Sequence, residues 1–297
     1  MNWRLTARPP FSLPAVVRSH GWIRLAPFVA GEGDESLRYL ARLGSGQVVE
    51  LAITAAGEGV SIAVDAELDE DEQAGVSVQV RWMLGLDQDL SAFYALARSE
   101  PKLAGVEARA QGRVLRSPTL FEDTVKTILT TNTAWSGTIR MVEALVSLCG
   151  TPLPADPTRA AFPTPDQVAA VGPEALRNEA RLGYRAPYVF ALARAVAAGE
   201  LDLEALKRSD LPTPDLRKRL LAIKGVGDYA AANLLVILGR YDWIPVDSWA
   251  TKVVSHEWYE GQPIGRAEVE AAFERWGEWR GLAYWFWDWA YLAEEQG

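Results

Sequence analysis

The chain has 297 residues, 49% of them apolar and 23% charged, which is enough apolar material for a sizeable core spread over one to three domains. Its formal net charge of −9 argues against tight non-specific binding to a polyanion. Yet the acidic excess is confined to residues 1–100 (8 Lys/Arg against 14 Asp/Glu) and 261–297 (3 against 7), while residues 101–260 balance at 19 against 18.

Residues 1–75 read as a β layer. Apolar and polar residues alternate over 21–25, 37–43, 47–54 and 60–64. Gly44/Gly46 and Gly57/Gly59 supply the hairpin turns. The acidic run 65–72 reads as a solvated loop that closes this layer. From about residue 75 the pattern becomes helical, with apolar spacings of three and four over 80–97 and 118–146. Ser117-Pro118-Thr119 marks the start of the second of these stretches. Five prolines in 150–166 predict a linker. Helices follow near 165–170, 173–181, 185–198, 203–208, 213–223, 228–239 and 247–258. A densely aromatic helical segment, 267–295, ends the pattern. The expected fold class is therefore α+β: a small N-terminal antiparallel β-sheet domain (1–75) and a larger all-α body (76–297), with a helical hairpin at about 213–239.

Cys149 is the only cysteine, which excludes an intrachain disulfide framework and a four-cysteine iron–sulfur cluster. With only two histidines, His20 and His256, neither a His/Cys metal site nor a Ser-His-Asp triad is supported. No apolar run approaches the ~18 residues of a membrane span, and nothing resembles a signal peptide. The expectation is a cytoplasmic, nucleoid-associated monomer (nuclear in a eukaryote) with no membrane partner.

The sharpest signal is Leu221-Ala222-Ile223-Lys224-Gly225-Val226-Gly227-Asp228-Tyr229-Ala230-Ala231. Gly225 and Gly227 can take positive φ and carry no Cβ, so the chain can turn tightly and approach another backbone. The N–H groups that open the next helix then favour a phosphate. Twenty residues after Gly227 stands Asp247, following Ile244-Pro245-Val246 and opening a new helix. An isolated Asp in such a place is commonly a helix N-cap.

A hairpin followed at this interval by a carboxylate resembles the helix-hairpin-helix DNA glycosylases, specifically their 3-methyladenine glycosylase II and 8-oxoguanine glycosylase branches. Leu182-Gly183-Tyr184-Arg185-Ala186-Pro187-Tyr188 and Phe162-Pro163-Thr164-Pro165 resemble segments of the 8-oxoguanine branch. The stretch from Phe121-Glu122 to Ile128-Leu129-Thr130-Thr131-Asn132 resembles the family helix that ends at the DNA-inserting loop. Trp279-Arg280, Ala283 and Trp285 resemble the C-terminal helix of the alkylpurine branch. The similarity covers about 80–290.

The resemblance implies base-excision repair of double-stranded DNA, with Asp247 as the catalytic carboxylate. Lys224, Gly225, Val226 and Gly227 would grip the DNA backbone. Asn132 would be either the plug that fills the vacated base position or a helix cap, and Trp135 either its buttress, a wedge against the opposite strand, or a packing residue. Bifunctional members carry a lysine two residues after the second hairpin glycine; here that residue is Tyr229, while Lys224 lies before the first glycine. The expected reaction is thus monofunctional hydrolysis, with Tyr229, Trp279 and Trp285 lining the base pocket and damaged, chiefly alkylated, purines as substrates. No cofactor is required; the resemblance allows a monovalent cation at the hairpin. Two alternatives stand beside this one: an 8-oxoguanine-type enzyme, its lyase lysine either lost or supplied from elsewhere, and a non-catalytic damaged-DNA-binding protein.

Overall fold

Leu37, Tyr39, Leu51, Ile53, Val60 and Ile62 alternate with more exposed residues along three strands, and burying that shared face is what assembles the N-terminal sheet. The computed structural model describes residues 1–31 and 35–289. Five antiparallel strands, β1 (Asn2–Thr6), β2 (Phe28–Ala30), β3 (Ser36–Arg42), β4 (Val48–Ala56) and β5 (Gly59–Val64), lie in the order β1-β5-β4-β3-β2. Tyr39 pairs with Leu51, Ile53 with Ile62, and Leu5 with Val60. The turns after Arg42 and Ala56 fall at the expected glycines, and Gly46 and Gly57 both take positive φ.

Four local expectations differ from the structure. Residues 21–25 do not form a strand: Gly21–Arg24 is a 3-10 turn whose Trp22 indole donates to Asp123 at 2.8 Å. The acidic run is not all loop, since Asp69 N-caps the helix Glu70–Leu84 and exchanges hydrogen bonds with Glu72 in a capping box. The helical stretch 80–97 is two helices, Glu70–Leu84 and Ser91–Ala97, separated where Gly85 takes φ +61. The proline-rich linker folds into a hairpin, β6 (Thr151–Leu153) with β7 (Asp156–Ala161). Leu153 and Ala161 of that hairpin pack on Leu40 and Val48 of the sheet. The described residues hold no helix long and apolar enough to cross a membrane.

The chain divides into two compact units by packing. The first comprises Met1–Gln88, Arg113–Ser209 and Ile223–Gly225, so the sheet shares its unit with several helices rather than standing alone as residues 1–75. At its centre, the helix Leu120–Thr130 is buried from Leu120 to Leu129, its charged residues included. Lys126 pairs with Glu122 at 2.6 Å, Glu122 accepts the Tyr39 hydroxyl at 2.7 Å, and the Lys126 ammonium sits 4.6 Å above the Phe28 ring. The second unit comprises Asp89–Gly112, Asp210–Ala222 and the chain from Val226 onward. It holds the helices Thr213–Leu221, Asp228–Ile237, Ser248–Trp258, Arg266–Ala272 and Arg280–Phe286. Their shared core is an aromatic cluster in which Trp258, Tyr284, Trp287 and Trp289 surround Phe273. Residues 290–295 of the expected C-terminal helix lie outside the described residues.

Candidate active site

Asp247 caps the helix Ser248–Trp258: its Oδ1 accepts the Ala250 N–H at 2.8 Å. The cap fixes the carboxylate at the positive end of the helix. Among the described residues nothing donates to Oδ2, and the side chain is half-buried. The chain just before it is pinned, because Ile244 and Pro245 are buried.

The segment 241–243 is held from two directions within the second unit. From the C-terminal helix, Arg280 Nε donates to the Asp242 carbonyl at 2.7 Å, and the Gly281 N–H donates to the Tyr241 carbonyl at 2.6 Å. A Cβ on Gly281 would fall 2.6 Å from the Trp243 carbonyl oxygen, so only glycine admits this approach. From the first hairpin helix, Thr213 Oγ1 donates to Asp242 at 2.7 Å, and the Arg217 guanidinium lies 4.5 Å over the Trp243 ring while pairing with Asp228. Both parts of the expected motif, hairpin and C-terminal helix, therefore brace the loop that delivers Asp247.

Two tyrosines feel the Asp247 charge. Burial raises the Tyr229 hydroxyl pKa first and the Asp247 carboxylate raises it further, against a lowering hydrogen bond with Asn233. Tyr284 is buried, and burial, then Asp247, then Tyr229 push its pKa well above the ordinary phenol value. Both are neutral hydroxyls at any working pH. Tyr229 is 39% exposed and Trp249, two residues after the carboxylate, is 38% exposed, so two aromatic faces are open to solvent in this unit. Trp279 is occupied differently: it stacks on Tyr241 at 5.8 Å and lies 6.0 Å from Phe93. Trp285 is half-buried on the helix Arg280–Phe286. Tyr284, adjacent to Trp285, was not among the expected pocket residues.

In the hairpin, Gly225 takes φ +90 and packs on Tyr188, where a Cβ would fall 2.8 Å from the Tyr188 Cβ. Gly227 departs from the expectation of positive φ: it is extended (φ −94) and N-caps the helix Asp228–Ile237 with no side-chain cap. A Cβ there would meet nothing within 4 Å, so the protein itself imposes no need for glycine at this position. Val226 is buried and Lys224 is exposed.

In the first unit, Asn132 follows the helix Leu120–Thr130 in the left-handed region (φ +48), exposed. Beneath it, the Arg185 guanidinium donates to the carbonyls of Thr131 and Asn132, the latter at 3.2 Å, and stacks 4.4 Å from the Tyr184 ring. The Tyr184 hydroxyl donates to Thr131 O and accepts from Asn132 Nδ2, both at 3.4 Å. This bracing gives the Gly-Tyr-Arg segment a physical role that its sequence alone left unassigned. Trp135 starts the helix Trp135–Cys149, its ring so close on Gly21 that no Cβ would fit there.

The family model for HhH-GPD superfamily base excision DNA repair proteins matches residues 125–278, which include the hairpin, Tyr229 and Asp247. The chain belongs to this superfamily. As an HhH-GPD protein it is 27% identical over 165 residues to the DNA-3-methyladenine glycosylase of Bacillus subtilis (strain 168). That alignment covers 54% of this chain and 54% of the relative, about half the length of each. The HhH-GPD fold is also that of the 3-methyladenine DNA glycosylase of Archaeoglobus fulgidus, with a TM-score of 0.76 at 23% identity over 96% of this chain and 97% of that one. The 8-oxoguanine glycosylase/lyase of Clostridium acetobutylicum gives 0.71 at 21% identity, over 96% and 97%.

Proposed function

We propose that this protein is a monofunctional DNA glycosylase that hydrolyses the N-glycosidic bond of a damaged purine in double-stranded DNA, alkylated adenines ahead of oxidised guanine. The observation that carries this reading is a half-buried carboxylate with one oxygen uncommitted, Asp247, beside a tyrosine rather than a lysine at hairpin position 229. Cleaving the bond builds positive charge on the sugar, as in the oxocarbenium-like transition state of glycoside hydrolysis. Oδ1 is held by the helix, which leaves Oδ2 to face that charge and to orient the attacking water. The exposed Tyr229 ring offers an electron-rich face to a flipped, cationic base. With no amine at position 229, no Schiff base forms there, and the product is an abasic site on an uncut strand.

Three features support DNA as the partner. The hairpin helix Asp228–Ile237 lacks a side-chain cap, leaving its first N–H groups for a phosphate. The open space at Gly227 lets a DNA backbone come close. Asn132, exposed on a braced tip, is of a size and polarity to fill the position of an extruded base. A monovalent cation at the hairpin belongs to the same proposal: among the described residues no backbone N–H donates to the carbonyls of Lys224 or Gly225, which leaves oxygen ligands there.

Base release from duplexes carrying single lesions tests the reading, with wild type compared with Asp247→Asn. Release of an alkylated purine by wild type, lost in the variant while DNA binding persists, is the expected result. Borohydride trapping of a covalent DNA adduct by wild type would overturn the monofunctional assignment. Retained binding with no release from any lesion would favour a non-catalytic binder.

A further inference from the structure

A cavity of about 540 Å³ in the first unit is built from parts that the proposed reaction leaves idle, the Phe-Pro segment at 162–165 among them. It opens between the end of β3, the start of the helix Leu120–Thr130, that segment, and the loop leading to the helix Leu203–Lys207. Its walls are aromatic and aliphatic: Tyr39, Phe121, Phe162, Pro163 and Val196, with Phe121 and Phe162 edge to face at 6.4 Å. Both its size and its lining suit a small molecule.

The charges around it are unequal in their commitments. Glu122 is held by Lys126 and the Tyr39 hydroxyl. Glu204 pairs with Lys207 at 2.8 Å and accepts the Leu120 N–H at 2.7 Å. Asp202 caps its helix through the Ala205 N–H at 2.9 Å. Arg42 is the only cation among the charged lining residues and has only neutral partners, the Thr151 hydroxyl and the Gln167 carboxamide at 3.0 Å. Among the described residues no carboxylate lies within ion-pair distance of it. Burial lowers its pKa, with Tyr39 opposing that effect only in part, so Arg42 is a half-buried cation lacking a counter-ion.

We propose that this cavity binds a small organic anion, a carboxylate on a flat aromatic body, with the carboxylate on Arg42 and the ring against Tyr39, Phe121 and Phe162. Nη2 of Arg42 is committed to Thr151 and Gln167, which leaves Nε and Nη1 to donate to a carboxylate through charge-assisted hydrogen bonds, stronger than those to neutral groups. A cationic ligand would find a spare carboxylate oxygen only on Asp202, which is exposed and screened by solvent, and a neutral ligand would leave the guanidinium charge unmatched. The site draws all its residues from the first unit, whereas Asp247 belongs to the second.

The probe is 2-naphthoate, with 2-naphthamide as its neutral isostere, titrated into the full chain by calorimetry and ligand-observed NMR. Saturable naphthoate binding is expected, with the amide weaker by about tenfold or more. Arg42→Gln should remove that difference, Val196→Trp should fill the cavity and abolish binding of both, and Asp247→Asn should leave both unchanged. Circular dichroism verifies that each variant is folded. Equal affinity for acid and amide, no saturable binding by folded wild type, or binding that survives Val196→Trp would each overturn the proposal. The acid–amide comparison on wild type decides the matter even if Arg42→Gln fails to fold.

Discussion

Gly281 donates its N–H to the carbonyl of Tyr241 at 2.6 Å, a contact that fixes the C-terminal helix to the loop carrying Asp247. A methyl group at position 281 would strike the carbonyls of both Tyr241 and Trp243. Gly281→Ala must therefore displace backbone rather than a flexible side chain, at about 1–3 kcal/mol of overpacking. Because the displaced segment leads directly to Asp247, the single-turnover rate of base release is expected to fall further than stability does, by about 100-fold. Stopped-time base release and thermal unfolding measured on the same preparation separate the two effects. Unchanged release from a destabilised variant would show that the contact serves only the fold.

Asp247 carries two separable roles, cap and catalyst. Asparagine caps helices about as well as aspartate, so Asp247→Asn should change stability by less than about 0.5 kcal/mol while lowering base release by ~100-fold or more. Asp247→Ala loses the cap as well and should cost about 1 kcal/mol of stability in urea unfolding. Release at the wild-type rate by the Asn variant would remove Asp247 from the chemistry.

Much of this architecture could be read from residues in order, and the failures have physical causes. Strands at 37–43, 47–54 and 60–64 were legible because Leu37, Tyr39, Leu51, Ile53, Val60 and Ile62 recur at alternate positions on one buried face, even though Leu40 and Val48 on the other face are covered by the β6–β7 hairpin. The segment 21–25 alternates as well, but Trp22 turns inward to reach Asp123, a hundred residues away, and that tertiary bond overrides the local pattern. The first strand, β1, pairs with β5 across nearly sixty residues and is too short and polar to announce itself. Prolines at 152 and 157 suggested a linker, yet a two-stranded ribbon is all edge and tolerates them. Around the site, Asp247 and the hairpin stood out through spacing. Tyr284 did not, because five tryptophans in fourteen residues hide which side of the chain faces the carboxylate.

Arg185 satisfies the carbonyls that end the helix Leu120–Thr130 and so holds Asn132 in its left-handed conformation. Arg185→Ala removes the charge-assisted hydrogen bonds to both carbonyls, leaving Thr131 O with the Tyr184 hydroxyl and Asn132 O with solvent, at a cost of about 1–3 kcal/mol, and frees the tip. DNA affinity should change little, whereas base extrusion, followed by 2-aminopurine fluorescence beside the lesion, should drop several-fold. Asn132→Gly, which suits the left-handed backbone, should reproduce the loss of extrusion without the loss of stability. If extrusion is intact in both variants, the tip plays no part in it.

Two groups in the first unit should make opposing contributions to the pH dependence of stability. Asp123 is fully buried, and burial raises its pKa to about 6 against the hydrogen bonds from Trp22 and Ser117. Between its unfolded value of 3.8 and about 6, the native state holds the extra proton, so acidification through this window stabilises the fold. His20 does the reverse: burial lowers its pKa from 6.5 to about 4, so over that window the unfolded state holds the extra proton and acidification destabilises. The His20 ring lies 4.6 Å from Trp22, whose indole bonds to Asp123, so the two sit on one connected set of contacts. Each effect amounts to about 2 kcal/mol between pH 6.5 and 4.5, and they offset one another in the wild type. Urea unfolding at the two pH values should show Asp123→Asn losing stability relative to wild type on acidification, and His20→Gln gaining it. Parallel pH dependence in all three proteins would mean that neither group changes its protonation on unfolding in this window.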